Sequence, residues 1–181
     1  MIALYLDIEY YPHESPFVQK GKVFLAGFFA PSTGYKALYG KSLSESGITD
    51  VLGEFRPSYL VCWGPDIGRL ENTFNLSLKP EYRCVNLETA CKRLGYSGKL
   101  AGALRELSVP LKKPLFLNEE MNGWEAAYLW SIWESRKSTL IRDFVLDYNR
   151  VDCKALWEIA KKLKTLRQMR MPELYRLAPL Q

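Results

Sequence analysis

Ile2-Ala3-Leu4-Tyr5-Leu6-Asp7-Ile8-Glu9 is an apolar run that closes on two acids spaced i, i+2. In a β-strand those two side chains leave on the same face. Like charges side by side at the end of a buried strand repel each other and lose solvation, and a bound cation relieves both costs. The plainer reading is a polar strand end entering a loop, and this stretch alone leaves both readings open. Tyr10 and Tyr11 follow directly and set two aromatic rings beside the acids.

Outward from that strand, residues 12–21 hold two prolines and a glycine and read as a loop. Residues 22–30 (KVFLAGFFA) form a second strand, and 31–34 a turn. Residues 35–39 return antiparallel, so the three make a meander. Residues 44–55 carry Ile48, Val51, Leu52 and Phe55 at helical spacing, and Arg56-Pro57 stops that helix. Residues 58–63 (SYLVCW) are a short apolar run, expected as a buried strand parallel to the first. Gly64-Pro65 breaks it, and Asp66 stands at the N-cap or first turn of a helix reaching about residue 76.

A strand over 82–86 and helices over 87–94 and 99–107 follow, then a basic, Pro-containing connector over 112–118. Helices over 123–136 and 138–166 close the pattern. Pro172 is expected to end the order. The predicted organisation is one domain over 1–166 with a C-terminal tail over 167–181. The class is α/β, a mixed five-stranded sheet of three antiparallel strands followed by parallel ones, flanked by helices. Strand ends in such sheets face one crevice, where the acids of the first strand and Asp66 can meet.

Composition narrows the chemistry. The 181 residues are 48% hydrophobic, enough for one sizeable core. No apolar run is long enough for a membrane span and no basic leader precedes the first strand, so the chain reads as cytoplasmic and membrane-free. A net charge of +5 favours a polyanionic partner such as nucleic acid, or marks no more than a basic surface. Cys62, Cys84, Cys91 and Cys153 form no CxxC pair, and His13 is the single histidine. That argues against a structural zinc site. It also leaves Ser-His or Cys-His catalysis dependent on a histidine in a Pro-flanked loop. Carboxylates are left to carry any chemistry.

Residues 147–152 (DYNRVD) hold the last candidates. Tyr148 and Asp152 are four apart and share one helix face. Asp152 is either buried on that otherwise apolar face, where it needs a partner, or exposed beside Arg150 or Lys154. Asp143 and Asp147 have the look of surface acids. Asp66 is likewise either a plain helix cap or a member of the acid set.

Asp7, Glu9, Asp66 and Asp152, with Tyr148, resemble the DEDD superfamily of 3′–5′ exonucleases, the DnaQ-like branch of the ribonuclease-H-like fold. LDIEY is similar to its first motif, WGPDIGRLE to its second and YNRVD to its third, in the Tyr-x-x-x-Asp form of the tyrosine subclass (DEDDy). The stretches VNLETACKRLGYSGKLAGALRELSVP and NGWEAAYLWSIWESR resemble the YprB-like predicted exonucleases, and the likeness spans about residues 2–164. Two departures stand out. Tyr10 replaces a small hydroxyl residue, and Trp63-Gly64-Pro65 occupies a stretch that often carries Asn.

The resemblance implies a 3′–5′ exonuclease acting on DNA or RNA with a free 3′ end and releasing nucleoside 5′-monophosphates. Four carboxylates suit two hard divalent cations, Mg²⁺ or Mn²⁺. In that reading Asp7 bridges the ions, Glu9 and Asp152 hold the ion that activates water, Asp66 serves the second ion, and Tyr148 orients the water. Tyr10, Tyr11 and Trp63 flank the crevice and can stack on substrate bases, and Lys112, Lys113 and the basic run from Lys161 to Arg170 can track phosphates; the plainer readings, Trp63 as core and the late basic run as a solvated helix face, are the stronger ones here. The competing readings are a catalytically silent binding module of the same fold and a ribonuclease-H-type endonuclease or resolvase.

Overall fold

β1 (Ala3–Tyr10) is the middle strand of a five-stranded sheet ordered β3-β2-β1-β4-β5. The computed structural model describes residues 2–13, 19–111, 114–116 and 119–180. β2 (Val23–Ala30) pairs antiparallel with β1, and β3 (Gly34–Tyr39) antiparallel with β2. β4 (Tyr59–Cys62) and β5 (Arg83–Asn86) extend the sheet in parallel on the other side. The expected mixed sheet forms, with the expected order of antiparallel and parallel pairs. A small hairpin of β6 (Leu115–Phe116) and β7 (Glu119–Glu120) falls where a plain connector was expected.

Period-two alternation sends the two halves of β1 to opposite layers. Leu4, Leu6 and Ile8 pack on Ile48, Val51, Leu52 and Phe55 of α1 (Glu45–Phe55) and on Ile67 and Leu70 of α2 (Asp66–Phe74). Tyr5 faces the other layer and joins Ala155, Leu156 and Ile159 of α7 (Thr139–Leu166). α4 (Leu87–Arg93) and α5 (Leu100–Glu106) complete that layer, after a short α3 (Leu78–Glu81) that leads into β5.

α6 (Gly123–Arg136) covers the β1–β2 end of the same face through Ala126, Ala127, Leu129 and Trp130. Its start is set by a capping box. The Asn122 side chain accepts from Trp124 N at 3.0 Å and Glu125 N at 3.2 Å, and Glu125 Oε2 accepts from Asn122 N at 2.8 Å. Its end is set by Lys137, whose φ of 54° is left-handed and turns the chain into α7.

The C-terminal segment departs from expectation. Pro172 does not end the order; it sits in the first turn of α8 (Met171–Leu177), where a missing N–H costs nothing. Leu174 and Ala178 are buried, Asn86 N donates to Ala178 O at 3.0 Å, and Leu180 N donates to Cys84 O at 3.0 Å. Residues 171–180 therefore belong to the sheet's body, lying along β5.

Candidate metal centre

β4 stops short of β1. Tyr5 is the last β1 residue paired with it, opposite Val61. Asp7 and Glu9, on Tyr5's face, project beyond that pairing into a notch on the α7 side. Register on the β2 side shifts between Glu9 and Tyr10, an irregularity of the kind that re-aims side chains beside sites.

α7 supplies the opposing wall. Its buried stripe runs through Val145, Tyr148, Asp152, Leu156, Ile159 and Leu163, spaced three and four apart, with Asn149 buried beside it. Asp152 is only 4% exposed, so the surface reading of that acid is overturned. Arg150 is instead paired with Asp147, and Asp143 with Arg142, as the surface reading of those two acids expects. One oxygen each from Asp7, Glu9 and Asp152 lie within 4.8 Å of one another. Three oxygen donors at that spacing, nearly buried, are the set a hard divalent cation takes, so the residues fit the implied metal.

Tyr148 lies among these acids. Burial pushes its phenol well above the usual tyrosine range; the charges of Glu9, Asp152 and Asp7 push further, as does a hydrogen bond with Asp152. It stays a neutral O–H at physiological pH.

Asp66 approaches from β4. Pro65 is at the cap and Asp66 is the first residue of α2, the first-turn position among the two expected for it. The loop carrying it is tied down by Asn86, whose side chain caps α4 and accepts from Gly64 N at 3.1 Å. Gly64 has φ +61°, a left-handed turn suited to glycine. Burial raises the Asp66 carboxyl well above its ordinary value; Arg69 opposes this, and the charges of Asp152 and Glu88 add to it. Asp66 thus feels Asp152 but stands outside the tight three-acid cluster.

The residues expected to meet substrate fare unequally. Tyr11 is a correction. It is 2% exposed, its ring packs on Phe24 at 4.9 Å, and its hydroxyl donates to Glu134 at 2.8 Å, so it is core and no base can reach its face. Trp63 is half-buried against the α7-side core. Tyr10 has one face taken by Arg69, 3.6 Å from the ring centroid. It seats the same guanidinium that opposes the burial of Asp66. Lys112 and Lys113 lie outside the described residues. In the basic run, Lys161 lies 3.7 Å from Glu158 and over the Trp157 ring, and Arg170 pairs with Glu173 at 3.1 Å.

Three features escaped the sequence reading. Asn149 is fully buried and reaches both Asp7 and Glu9. Its signal was a polar residue beside an apolar helix stripe. Gly27 lies opposite Asp7 in β2, and an isolated strand glycine signals close approach. Trp124 and Tyr128 stack in parallel on the surface of α6, centroids 5.9 Å apart and planes 6° apart, one residue from Gly123, whose Cβ position is 3.9 Å from Glu9 Oε2.

A model of the RNase_H superfamily matches residues 4–164. The fold is similar to a family B DNA polymerase from the hyperthermophilic archaeon Pyrobaculum calidifontis, with a TM-score of 0.66 at 14% identity. That match covers 90% of this chain and 24% of the polymerase chain. No curated protein matches the sequence. Among the described residues no helix is long and apolar enough to cross a membrane.

Proposed function

The chain belongs to the RNase_H superfamily, and on that premise we propose that it is a metal-dependent 3′–5′ exonuclease. The observation that carries this reading is the buried meeting of Asp7, Glu9 and Asp152 within 4.8 Å, with the Tyr148 phenol among them. The Tyr-x-x-x-Asp spacing on α7 favours exonuclease over endonuclease action. The structural relative is a DNA polymerase, which agrees with nucleic acid as the substrate class.

Asp7, Glu9 and Asp152 would hold one divalent cation, Mg²⁺ or Mn²⁺, and Asp66 would serve a second. Such ions, when bound, polarise the scissile phosphate and lower the pKa of the attacking water. Burial and the neighbouring carboxylates raise the Tyr148 phenol above its usual range, so it is a poor base and its role is to orient the water. With its O–H given to Asp152, its phenol oxygen accepts from the water and holds it in line. Water oxygen bonds to phosphorus and gives one proton to solvent, the P–O3′ bond breaks, the 3′ oxygen takes up a proton from solvent, and a nucleoside 5′-monophosphate leaves. The exposed Trp124–Tyr128 pair offers bases a stacking surface that Tyr11 cannot.

The test is digestion of single-stranded DNA and RNA labelled at the 5′ end, with Mg²⁺, Mn²⁺ or EDTA. A cation-dependent ladder shortening from the 3′ end is expected. Internal fragments, or cleavage that survives EDTA, would sink the reading.

A further inference from the structure

We infer that Asn149 is a positioning residue for the acid cluster: its amide bridges Asp7 and Glu9 from inside the fold and sets their geometry for a cation. The inference rests on the metal reading above. Asn149 has no exposed surface. Its Nδ2 donates to Asp7 Oδ2 at 2.7 Å, to Asp7 O at 3.2 Å and to Glu9 Oε1 at 3.5 Å. Carboxylate and carbonyl oxygens only accept, so the NH₂ end of the amide must face them.

The other end is fixed independently. Tyr35 donates its hydroxyl to Asn149 Oδ1 at 2.8 Å. A phenol on one side and two carboxylates on the other leave the amide a single orientation. β2 makes the space: a Cβ on Gly27 would lie 1.8 Å from Asn149 Oδ1 and 2.9 Å from Tyr35 Cε2. The glycine, the tyrosine and the asparagine come from three elements and converge behind Asp7, the residue opposite Gly27 in the sheet.

The choice of an amide has a chemical logic. Lysine or arginine here would neutralise a carboxylate and compete with a cation for it. An amide supplies two N–H donors and no net charge. It holds the carboxylates in place and leaves their full negative charge for the ion. Groups that orient ligands in this way are worth about 10–100-fold in metal affinity.

The test is Mn²⁺ binding to the full chain, by calorimetry and by electron paramagnetic resonance, for wild type, Asn149→Ala, Tyr35→Phe and the double variant. Asn149→Ala is expected to weaken Mn²⁺ binding about 10–100-fold. Tyr35→Phe should weaken it by a smaller factor, and the double variant should bind no worse than Asn149→Ala, because the phenol acts only through the amide. Wild-type affinity in Asn149→Ala, or effects that multiply in the double variant, overturns the inference. If Asn149→Ala does not fold, Tyr35→Phe decides, and wild-type affinity there overturns it. A wild type that binds Mn²⁺ but cuts no nucleic acid breaks the exonuclease reading and leaves the binding comparison to bear on Asn149. A wild type that binds no Mn²⁺ overturns both.

Discussion

The two faces of β1 solve opposite problems with alternate residues of one strand. Leu4, Leu6 and Ile8 join an apolar core with residues of α1 and α2. Tyr5, Asp7 and Glu9 face α7, and there apolar packing gives way within two residues to a nest of acids, an amide and a phenol. One face gains stability from burial; the other gives it up, since carboxylates brought together and taken from water disfavour the folded state until a cation arrives. Substitutions on the two faces should therefore separate activity from stability.

The largest contrast is at Asp7. Asp7→Ala is expected to lower cation-dependent nuclease activity by at least about 10³-fold, while melting in EDTA stays at or above wild type. Activity above that level in protein freed of contaminating nuclease removes Asp7 from the site. Leu6→Ala, its neighbour on the other face, should do the reverse. It costs about 2–5 kcal/mol, lowering Tm by roughly 5–15 °C at this chain length, with the folded fraction as active as wild type. A thermal melt paired with an activity assay below the transition checks both.

Tyr148→Phe keeps the ring and removes only the O–H. Turnover is expected to fall about 10–100-fold with Mn²⁺ affinity nearly unchanged. Equal turnover in single-turnover assays would show that the phenol holds no water.

The smallest effect sharpens the electrostatics. Burial raises the Asp66 carboxyl, so the folded state holds that proton more firmly than the unfolded chain. The group's contribution is fully present below the unfolded carboxylate pKa of about 4 and is lost as pH rises through the raised value. Asp66→Asn removes the buried charge. In EDTA it should raise Tm by a few °C at pH 7.5 and by less at pH 5, while reducing activity. A gain that is equal at both pH values would break this account.

Much of this was legible in the chain. The spacing of Asp7 and Glu9 on one strand face, and of Tyr148 and Asp152 on one helix face, follows from periods of two and 3.6 residues alone. The long-range partners were not. Asn149 is next to Tyr148 in sequence, yet its significance lies in contacts with β1 and with Tyr35 of β3, which no local pattern encodes. Tyr11 misled because a tyrosine following a strand acid looks like a platform; it lies just past the end of β1, and the chain turns its ring into the α6 layer. Tyr10, expected to meet substrate, also seats Arg69 on one face of its ring. Pro172 was read as a stop, but proline is a stop only inside a helix and is at home in its first turn.

The last residues have a bearing on how the molecule keeps to itself. Ala178 and Leu180 bond to Asn86 and Cys84 along the outer margin of β5. A chain trimmed after Leu166, where a loose tail was expected to begin, would lose those partners and uncover the seat of Leu174. A bared row of strand donors and acceptors recruits strands from other copies. The C-terminal segment covers that margin, and the trimmed chain is expected to self-associate through it.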